Sequence, residues 1–570
     1  MRVNIIGSFG KTTGVSQDVS ILHGLIAHVL DKDAKIRHVP QQFPQCPEAE
    51  VNFFIEVINP SLFTYAGRNI WIPNPEWTYR TWEPYAHSVD EIWVKTREAE
   101  TLFSKWIPDK VKYVGWTSID KGYPELGTKD PARGIVPIGT NVWRHPKPIL
   151  QAYSRILAQK PSDFERLPHL TLVHSPTYGK IDEIPEELKS KITLRSEVIP
   201  DEEYKTLLHT CGFIVCTSAA EGFCHAVNEG LSSGCIPILS SIQPFREMIP
   251  SALFTSSSKV IEHPQCLGML EDVDVDSLAD AFLAAANLTP EEHRSKTENS
   301  RESYEDRHEQ SVKNILARLD ALFLNVQPYV LEARLPKELE LPPVSIITLT
   351  RDRRSFIPLA KYCFLAQSYP EHLLEWVIVD DGKDPIKDLV SDLPNVNYVL
   401  VDEPMTIGAK RNLGISRAKH DVFVMMDDDD VYPNNSVLSR VAFMLAEPRK
   451  ECVFSTVIPC YEIHETKSFM NVPPITLPQS QRVSEATLAC TRTFWNERKF
   501  PDQQIAEGDA FIHGREEMCR ELSPQDLIVS LCHRKTTSSR KPPPMEVNGS
   551  HYGFSDELFT LISEIAVCIT

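Results

Sequence analysis

Four carboxylates stand in a row at 427–430 in the stretch VFVMMDDDDVYP, directly after a run of apolar residues. Adjacent like charges repel, so something must offset the repulsion. If the chain stays extended, side chains alternate. Asp427 and Asp429 then face one way, and Asp428 and Asp430 the other. Two carboxylates on one side suit a hard divalent cation with oxygen ligands, and Mg or Mn bridging a diphosphate is the usual use of such a pair. The competing reading is a solvated acidic loop that caps the following helix, NNSVLSRVAFML. Further stretches shift the balance towards chemistry. EWVIVDDG ends another apolar run with Asp380 and Asp381 ahead of Gly382. TIGAKRNLGISRA sets Lys410, Arg411 and Asn412 ahead of a helix that leads straight to the acidic run. IAEGDAFIHG carries Glu507 and Asp509, and LCHRKTTSSR adds His533 and Arg540.

A second cluster lies in TSAAEGFCHAVNEGLSSGCIPILSS, 217–241, where Glu221 and Glu229 are punctuated by Gly222, Gly230 and Gly234. Glu221 falls just past an apolar strand, and a helix follows. A helix N-terminus at a strand end is a natural diphosphate site. Glu229 could then accept hydrogen bonds from ribose hydroxyls. Two solvated glutamates about two helical turns apart are the bland alternative.

These residues need a scaffold that places them together. The chain has 570 residues and 64.6 kDa, too many for one core, so two to four domains are expected. Short apolar runs alternate with helix-like stretches throughout. They include VNIIG (3–7), VNFFIEV (51–57), NIWIP (69–73), FIVCTS (213–218) and IPILS (236–240) in the first half, and VSIITLT (344–350), EWVIVDD (375–381), VNYVLVD (396–402) and VFVMMDD (422–428) in the second. That alternation predicts parallel sheets covered on both faces, with ligands outside the carboxyl ends of the strands. Residues 300–326 have helical spacing, with Val312, Ile315, Leu316, Leu319 and Leu322 on one stripe. A proline-punctuated segment ending at Pro342-Pro343 follows, which sets a boundary near 330–343.

The net charge of −19 disfavours nucleic acid and anionic membranes as partners. No run approaches 18 consecutive apolar residues, so no transmembrane segment is expected. The opening MRVNIIG is too short for a signal peptide and reads as a first strand. Thirteen scattered cysteines without a CxxC suggest reduced core thiols of a cytoplasmic protein.

Taken together, the motifs of residues 343–541 resemble the inverting glycosyltransferases of family 2, which have the GT-A fold. PPVSIITLTRDR matches the family's opening strand, although LTRDR replaces its usual Pro-Thr-aromatic loop. The resemblance implies a metal on Asp427, Asp429 and His533. It implies donor contacts from Thr350, Asp380, Asp381, Lys410, Arg411, Asn412, Asp428 and Arg540. It implies a catalytic base at Asp509 or Glu507, of which Asp509 is preferred.

Residues 1–325 resemble the GT-B glycosyltransferases, especially family 4, through EGFCHAVNEGLSSGCIPI and GIVPIGTNVWRHPKPILQAYSRI. That implies a metal-independent, retaining reaction, with Glu221 near the donor sugar and Arg144, Lys147 and Glu229 on the donor nucleotide. His225 is assigned either to the donor or to helix packing.

The expected architecture is α/β: a GT-B lobe at 1–130, a nucleotide-sugar lobe at 131–329, a linker at 330–342 and a GT-A domain at 343–570. The expected function is bifunctional sugar transfer from nucleotide-sugars to a glycan or glycoside. The alternative is one GT-A activity beside a degenerate acceptor-binding half. The apolar stretch DELFTLISEIAVCI near the C-terminus is expected either to pack on the core or to make a subunit contact, which leaves an oligomer open.

Overall fold

The structure is a computed structural model that describes all residues except 10–12, 44, 126–127, 140, 175–182, 331–339, 535–553 and 570. Its strands, in chain order, begin with β1 (Arg2–Gly7), β2 (Lys35–Pro40), β3 (Ala49–Ile55), β4 (Ala66–Ile72), β5 (Glu91–Val94) and β6 (Val111–Tyr113). They form one six-stranded parallel sheet in the order β2-β1-β3-β4-β5-β6. A second sheet contains β7 (Asp130–Gly139), β8 (His169–His174), β9 (Ile192–Arg195), β10 (Cys211–Cys216), β11 (Ile236–Ser240) and β12 (Leu253–Thr255). Its order is β12-β11-β10-β7-β8-β9, also parallel throughout. Read from β9 to β12 this is the doubly wound 3-2-1-4-5-6 order.

The strands are buried because they are apolar on both faces: every residue of β3 and β10 is buried. Helix α1 (Gly14–Val29) covers the first sheet, and α2 (His225–Ser232) belongs to the second. The helical stripe expected from 300 lies in a 35-residue helix, α3 (Pro290–Leu324). Thr289 and Glu292 close its N-terminus with a capping box, and Pro290 opens its first turn. Ile315 and Leu319 are fully buried in a core shared with α1 and α2, so this one helix ties the two lobes. Beyond it, Tyr329 returns to the first lobe, where its hydroxyl donates to the Thr64 carbonyl.

The C-terminal sheet contains, among others, β13 (Val344–Thr350), β14 (Leu374–Asp380), β15 (Val396–Leu400) and β16 (Val422–Met425). The order β15-β14-β13-β16 is parallel, and the sheet continues past β16 through the antiparallel strand Ala489–Thr491. The helix Asp556–Cys568 buries Leu558, Ile562 and Ile565 in the core of this domain, so the C-terminal apolar stretch packs inward. Twelve cysteines are buried and Cys568 is exposed, all of them free. Among the described residues no helix is long and apolar enough to cross a membrane. The fold is thus α/β throughout, two Rossmann-like lobes followed by a third α/β domain.

Candidate active site

The C-terminal site forms where the sheet order reverses. Chain leaving β13 turns one way and chain leaving β16 the other, which opens a crevice at the strand ends. The loop after β13 carries Arg353, and the acidic run follows β16. The strand ends at Met425, three residues earlier than the sequence suggests, and 428–430 form a turn. The alternation expected of an extended chain is therefore lost. Neighbouring Asp428 and Asp429 converge on one guanidinium: Arg353 Nη1 lies 2.8 Å from Asp428 Oδ1 and 2.6 Å from Asp429 Oδ2. His533 Nε2 lies 3.1 Å from the same Asp429 oxygen, and the imidazole packs against the Phe356 ring. Asp430 turns inward and accepts from the Leu531 amide.

Burial lifts the Asp428 carboxyl to about 6, against the pull of Arg353 and with the push of Asp429. Burial acts on Asp429 too, but Arg353 and His533 more than offset it and hold this carboxyl below its ordinary range. Asp427 is the most open of the three and sits 3.4 Å from Arg411 Nη1.

Arg411 joins this cluster to the candidate base. Its Nε donates to Glu507 Oε1 at 2.9 Å, and both side chains are buried. Glu507 is therefore committed to an ion pair. Asp509, half-buried, accepts from Ser480 Oγ at 2.7 Å. Ala506 enters the short helix Glu507–Ile512 with φ +57°, a left-handed turn that sets both carboxylates beside the crevice. Glu485, neighbour to Glu507, receives the Gly508 amide at 3.0 Å; burial, then Glu507, pushes its carboxyl up.

The expected donor residues divide. Thr350 pairs in register with Asp380 at the ends of β13 and β14. Asp380 is wholly buried and receives the Gly382 and Ile386 amides and the Tyr398 hydroxyl. Asp381 accepts from Lys410 Nζ at 2.8 Å and from the Met405 amide. Asn412 is turned away: its carboxamide oxygen takes the Trp495 indole and the Phe500 amide, and its nitrogen donates to the Phe500 carbonyl. Arg540 lies outside the described residues.

Sequence reading missed Arg353, Ser480 and Glu485. The signal for Arg353 was the departing LTRDR loop itself, whose basic residues follow a strand end. Ser480 and Glu485 gave none, because they come from a long loop that only tertiary packing brings to Asp509.

The N-terminal cluster also sits at a switch point, between β7 and β10. Glu221 forms a two-pronged pair with Arg144, at 2.6 Å and 3.0 Å, and takes the Asn141 amide. Glu229 accepts from Gln17 Nε2 of the opposite lobe at 2.9 Å, with Lys121 Nζ at 3.4 Å. The Gly222 amide donates to Glu76 Oε1, also from the opposite lobe, at 2.8 Å. A Cβ on Gly222 would lie 2.7 Å from Asn74 and Glu76 oxygens, so only glycine allows this approach. Lys147 opens the helix Lys147–Gln159 and is exposed. His225 is held in a buried network: Nε2 meets Asp18 Oδ1 at 2.8 Å and Nδ1 meets Ser118 Oγ at 2.9 Å. These contacts, to Asp18 of helix α1 and to Ser118, are packing contacts within the protein rather than a free donor-facing imidazole.

Among the described residues one trio of potential metal ligands has its donor atoms within 4.8 Å of one another, Cys216, Glu221 and Cys224. The Arg144 guanidinium already covers it, on Glu221 and 3.3 Å from Cys224 Sγ, and burial holds the Cys224 thiol well up. A protein cation thus fills the place of a metal there.

Residues 345–500 match the family model described as Glycosyl transferase family 2. The C-terminal part of the chain therefore carries a region similar to that family, and the chain spans about 60% of the length of the first solved structures it matches. No curated protein matches the chain. Among solved structures, it is similar to a mannosyltransferase, PcManGT of Pyrobaculum calidifontis, in complex with GDP-Man and Mn2+, at 18% identity and TM-score 0.29. That match covers 35% of this chain and 60% of the mannosyltransferase. It is also similar to a glycosyltransferase from Rickettsia africae at 11% identity, TM-score 0.41, over 57% of this chain and 99% of the other. Sucrose-phosphate synthase from Thermosynechococcus elongatus gives 12% identity, TM-score 0.41 and the same coverage, 57% and 99%.

Proposed function

We propose that the C-terminal domain transfers a sugar from a nucleotide-sugar to a glycan or glycoside hydroxyl, with inversion and with a divalent metal, Mn or Mg. One observation carries this reading: an acidic turn at a switch point is linked through Arg411 to a pair of carboxylates, of which Asp509 alone lacks an arginine partner among the described residues.

The donor set fits a hard cation. Four carboxylates, Asp427, Asp428, Asp429 and Glu507, face two guanidinium groups, Arg353 and Arg411, which leaves excess negative charge for a metal to balance. Asp427, Asp429 and His533 would hold it. When bound, it supplies positive charge against the departing diphosphate. Asp509 takes the proton of the acceptor hydroxyl as that oxygen attacks the anomeric carbon. The bond from that carbon to the diphosphate oxygen breaks on the opposite face, and the centre inverts. Glu507, pinned by Arg411, sets the helix that presents Asp509. Asp381, with Lys410, and Thr350 line the nucleotide side, and Arg540 is assigned to the diphosphate. Asp428 anchors Arg353.

The N-terminal half has two readings. As a second transferase, it would be metal-independent and retaining, with Glu221 near the sugar and Arg144, Lys147 and Glu229 on the nucleotide. The contacts of Glu221, Glu229 and the Gly222 amide, all satisfied by the protein itself, favour the other reading, a degenerate acceptor-binding half.

A panel of nucleotide-sugars, with released nucleoside diphosphate as readout, tests both. Turnover should require Mn or Mg and vanish in chelator and in Asp429→Ala. Persistence in Asp429→Ala would refute the metal site. A second donor whose turnover disappears only in Glu229→Ala would establish the bifunctional reading instead.

A further inference from the structure

Among the described residues, the N-terminal half meets a loop that borders the C-terminal site. Residues 472–488 connect the strand Lys467–Asn471 to the strand Ala489–Thr491. This loop forms the seat of the candidate base. Ser480 donates to Asp509, the segment Gln479–Arg482 packs on the helix Glu507–Ile512, and Glu485 receives the Gly508 amide.

The other side of the loop is held by the first lobe. Thr81 Oγ1 donates to the Thr476 carbonyl at 3.2 Å, and Trp82 Nε1 donates to the Ile475 carbonyl at 3.1 Å. Ile475 packs into the first lobe's core with Trp82 and Tyr85, both buried. The buried Arg482 guanidinium lies 5.6 Å from the centre of the Tyr85 ring, within cation–π range. Tyr65 Oη to Ser523 Oγ at 3.1 Å adds a contact nearby. Apart from two short 3-10 turns, Gln479–Arg482 and Glu485–Thr487, the loop has no regular structure, so its order depends on the contacts it makes. Contacts that fix it before substrate arrives therefore fix the base.

We infer that Thr81, Trp82 and Tyr85 are positioning residues for transfer in the C-terminal domain: they immobilise loop 472–488, and through Ser480 they orient Asp509. The inference rests on the reading of Asp509 as the base. It assigns the N-terminal half a direct part in the C-terminal reaction, whatever else that half binds. A base displaced by a fraction of an ångström loses rate without loss of donor affinity, because the donor sits on other elements.

The test uses the full chain, with the nucleotide-sugar that the panel identifies and water as acceptor. Trp82→Phe removes the indole hydrogen bond and keeps a ring; Thr81→Val removes the hydroxyl and keeps the shape. The double variant should lower kcat about tenfold with donor KM within twofold, while Thr81→Ser stays at the wild-type rate. Ser480→Ala should lower kcat similarly, and Ser480→Thr should restore most of it. Adding Trp82→Phe to Ser480→Ala should then cost little more, since both act through one contact. Unchanged kcat in the double variant, or fully additive losses with Ser480→Ala, would overturn the inference while leaving the proposed reaction standing. If kcat is unaffected by Asp509→Asn, the assignment of the base fails and the inference with it.

Discussion

Arg353 offers the sharpest test of how the acidic turn is stabilised. It is the shared partner of Asp428 and Asp429, with its own side chain 19% exposed and theirs at 0% and 13%. Replacing it by Met keeps the stem and removes the charge. Breaking a buried pair by removing one partner costs about 3–5 kcal/mol, because the remaining charge stays buried. For a domain of 150–250 residues, 1 kcal/mol moves the midpoint by about 2–4 °C, so the C-terminal transition of Arg353→Met should fall by about 10 °C. Part of that loss is absorbed as Asp428 takes up a proton, so it should be largest well above pH 6. The assay is thermal unfolding at pH 8, once in chelator and once with Mn2+. A cation bound between the aspartates replaces the lost charge and adds stability by mass action. Mn2+ should therefore raise the midpoint of Arg353→Met more than that of the wild type. Equal midpoints for the two proteins in chelator would refute the buried-pair argument. Equal increments with Mn2+ would refute the claim that guanidinium and metal act on the same carboxylates.

Further outcomes are expected. Asp509→Asn should lower kcat by about 10²–10⁴-fold with little change in unfolding midpoint, whereas Glu507→Gln should lower the midpoint as well, since Arg411 loses its buried partner; steady-state rates with thermal scans separate the two. Gly408→Ala should yield little folded protein, because its Cβ would stand 1.9 Å from the Pro501 carbonyl oxygen; soluble expression and circular dichroism report this. Burial, with Glu221 and Glu56 adding, lifts the Glu76 carboxyl to about 8. A folded pKa above the unfolded value means the folded state holds the proton longer, so stability falls as pH rises from about 4.5 to about 8. Glu76→Gln should remove that fall, read as the difference in denaturant midpoints between pH 5 and pH 8.5.

Much of this was legible in the chain alone. Runs such as VSIITLT are apolar at every position, and only a strand covered on both faces accommodates that, so the parallel sheets follow directly. The helix over 300–326 and the boundary near 330–343 follow from a 3.6-residue stripe and the proline-punctuated segment after it, whereas the start of that helix at Pro290, with its capping box, is seen only in the structure. Chemistry-bearing residues at strand ends were readable because open α/β sheets put their crevices there. Strand ends were read too late where carboxylates follow, because apolar pattern carries no mark of the turn at 428–430 that brings Asp428 and Asp429 to one guanidinium.

Tertiary structure alone decided which side chains meet. That Arg353 would grip the acidic turn depends on β13 lying beside β16, a pairing across more than seventy residues. That Glu507 is bound and Asp509 left to Ser480 depends on a long loop, with only short 3-10 turns, that the packing of the whole domain brings there. That Asn412 turns to Trp495 while its neighbours face the site depends on helical phase against the packed core. Local sequence sets periodicity and turn preference, which act over a few residues. Partner choice is set by distance in space, and no local term contains it.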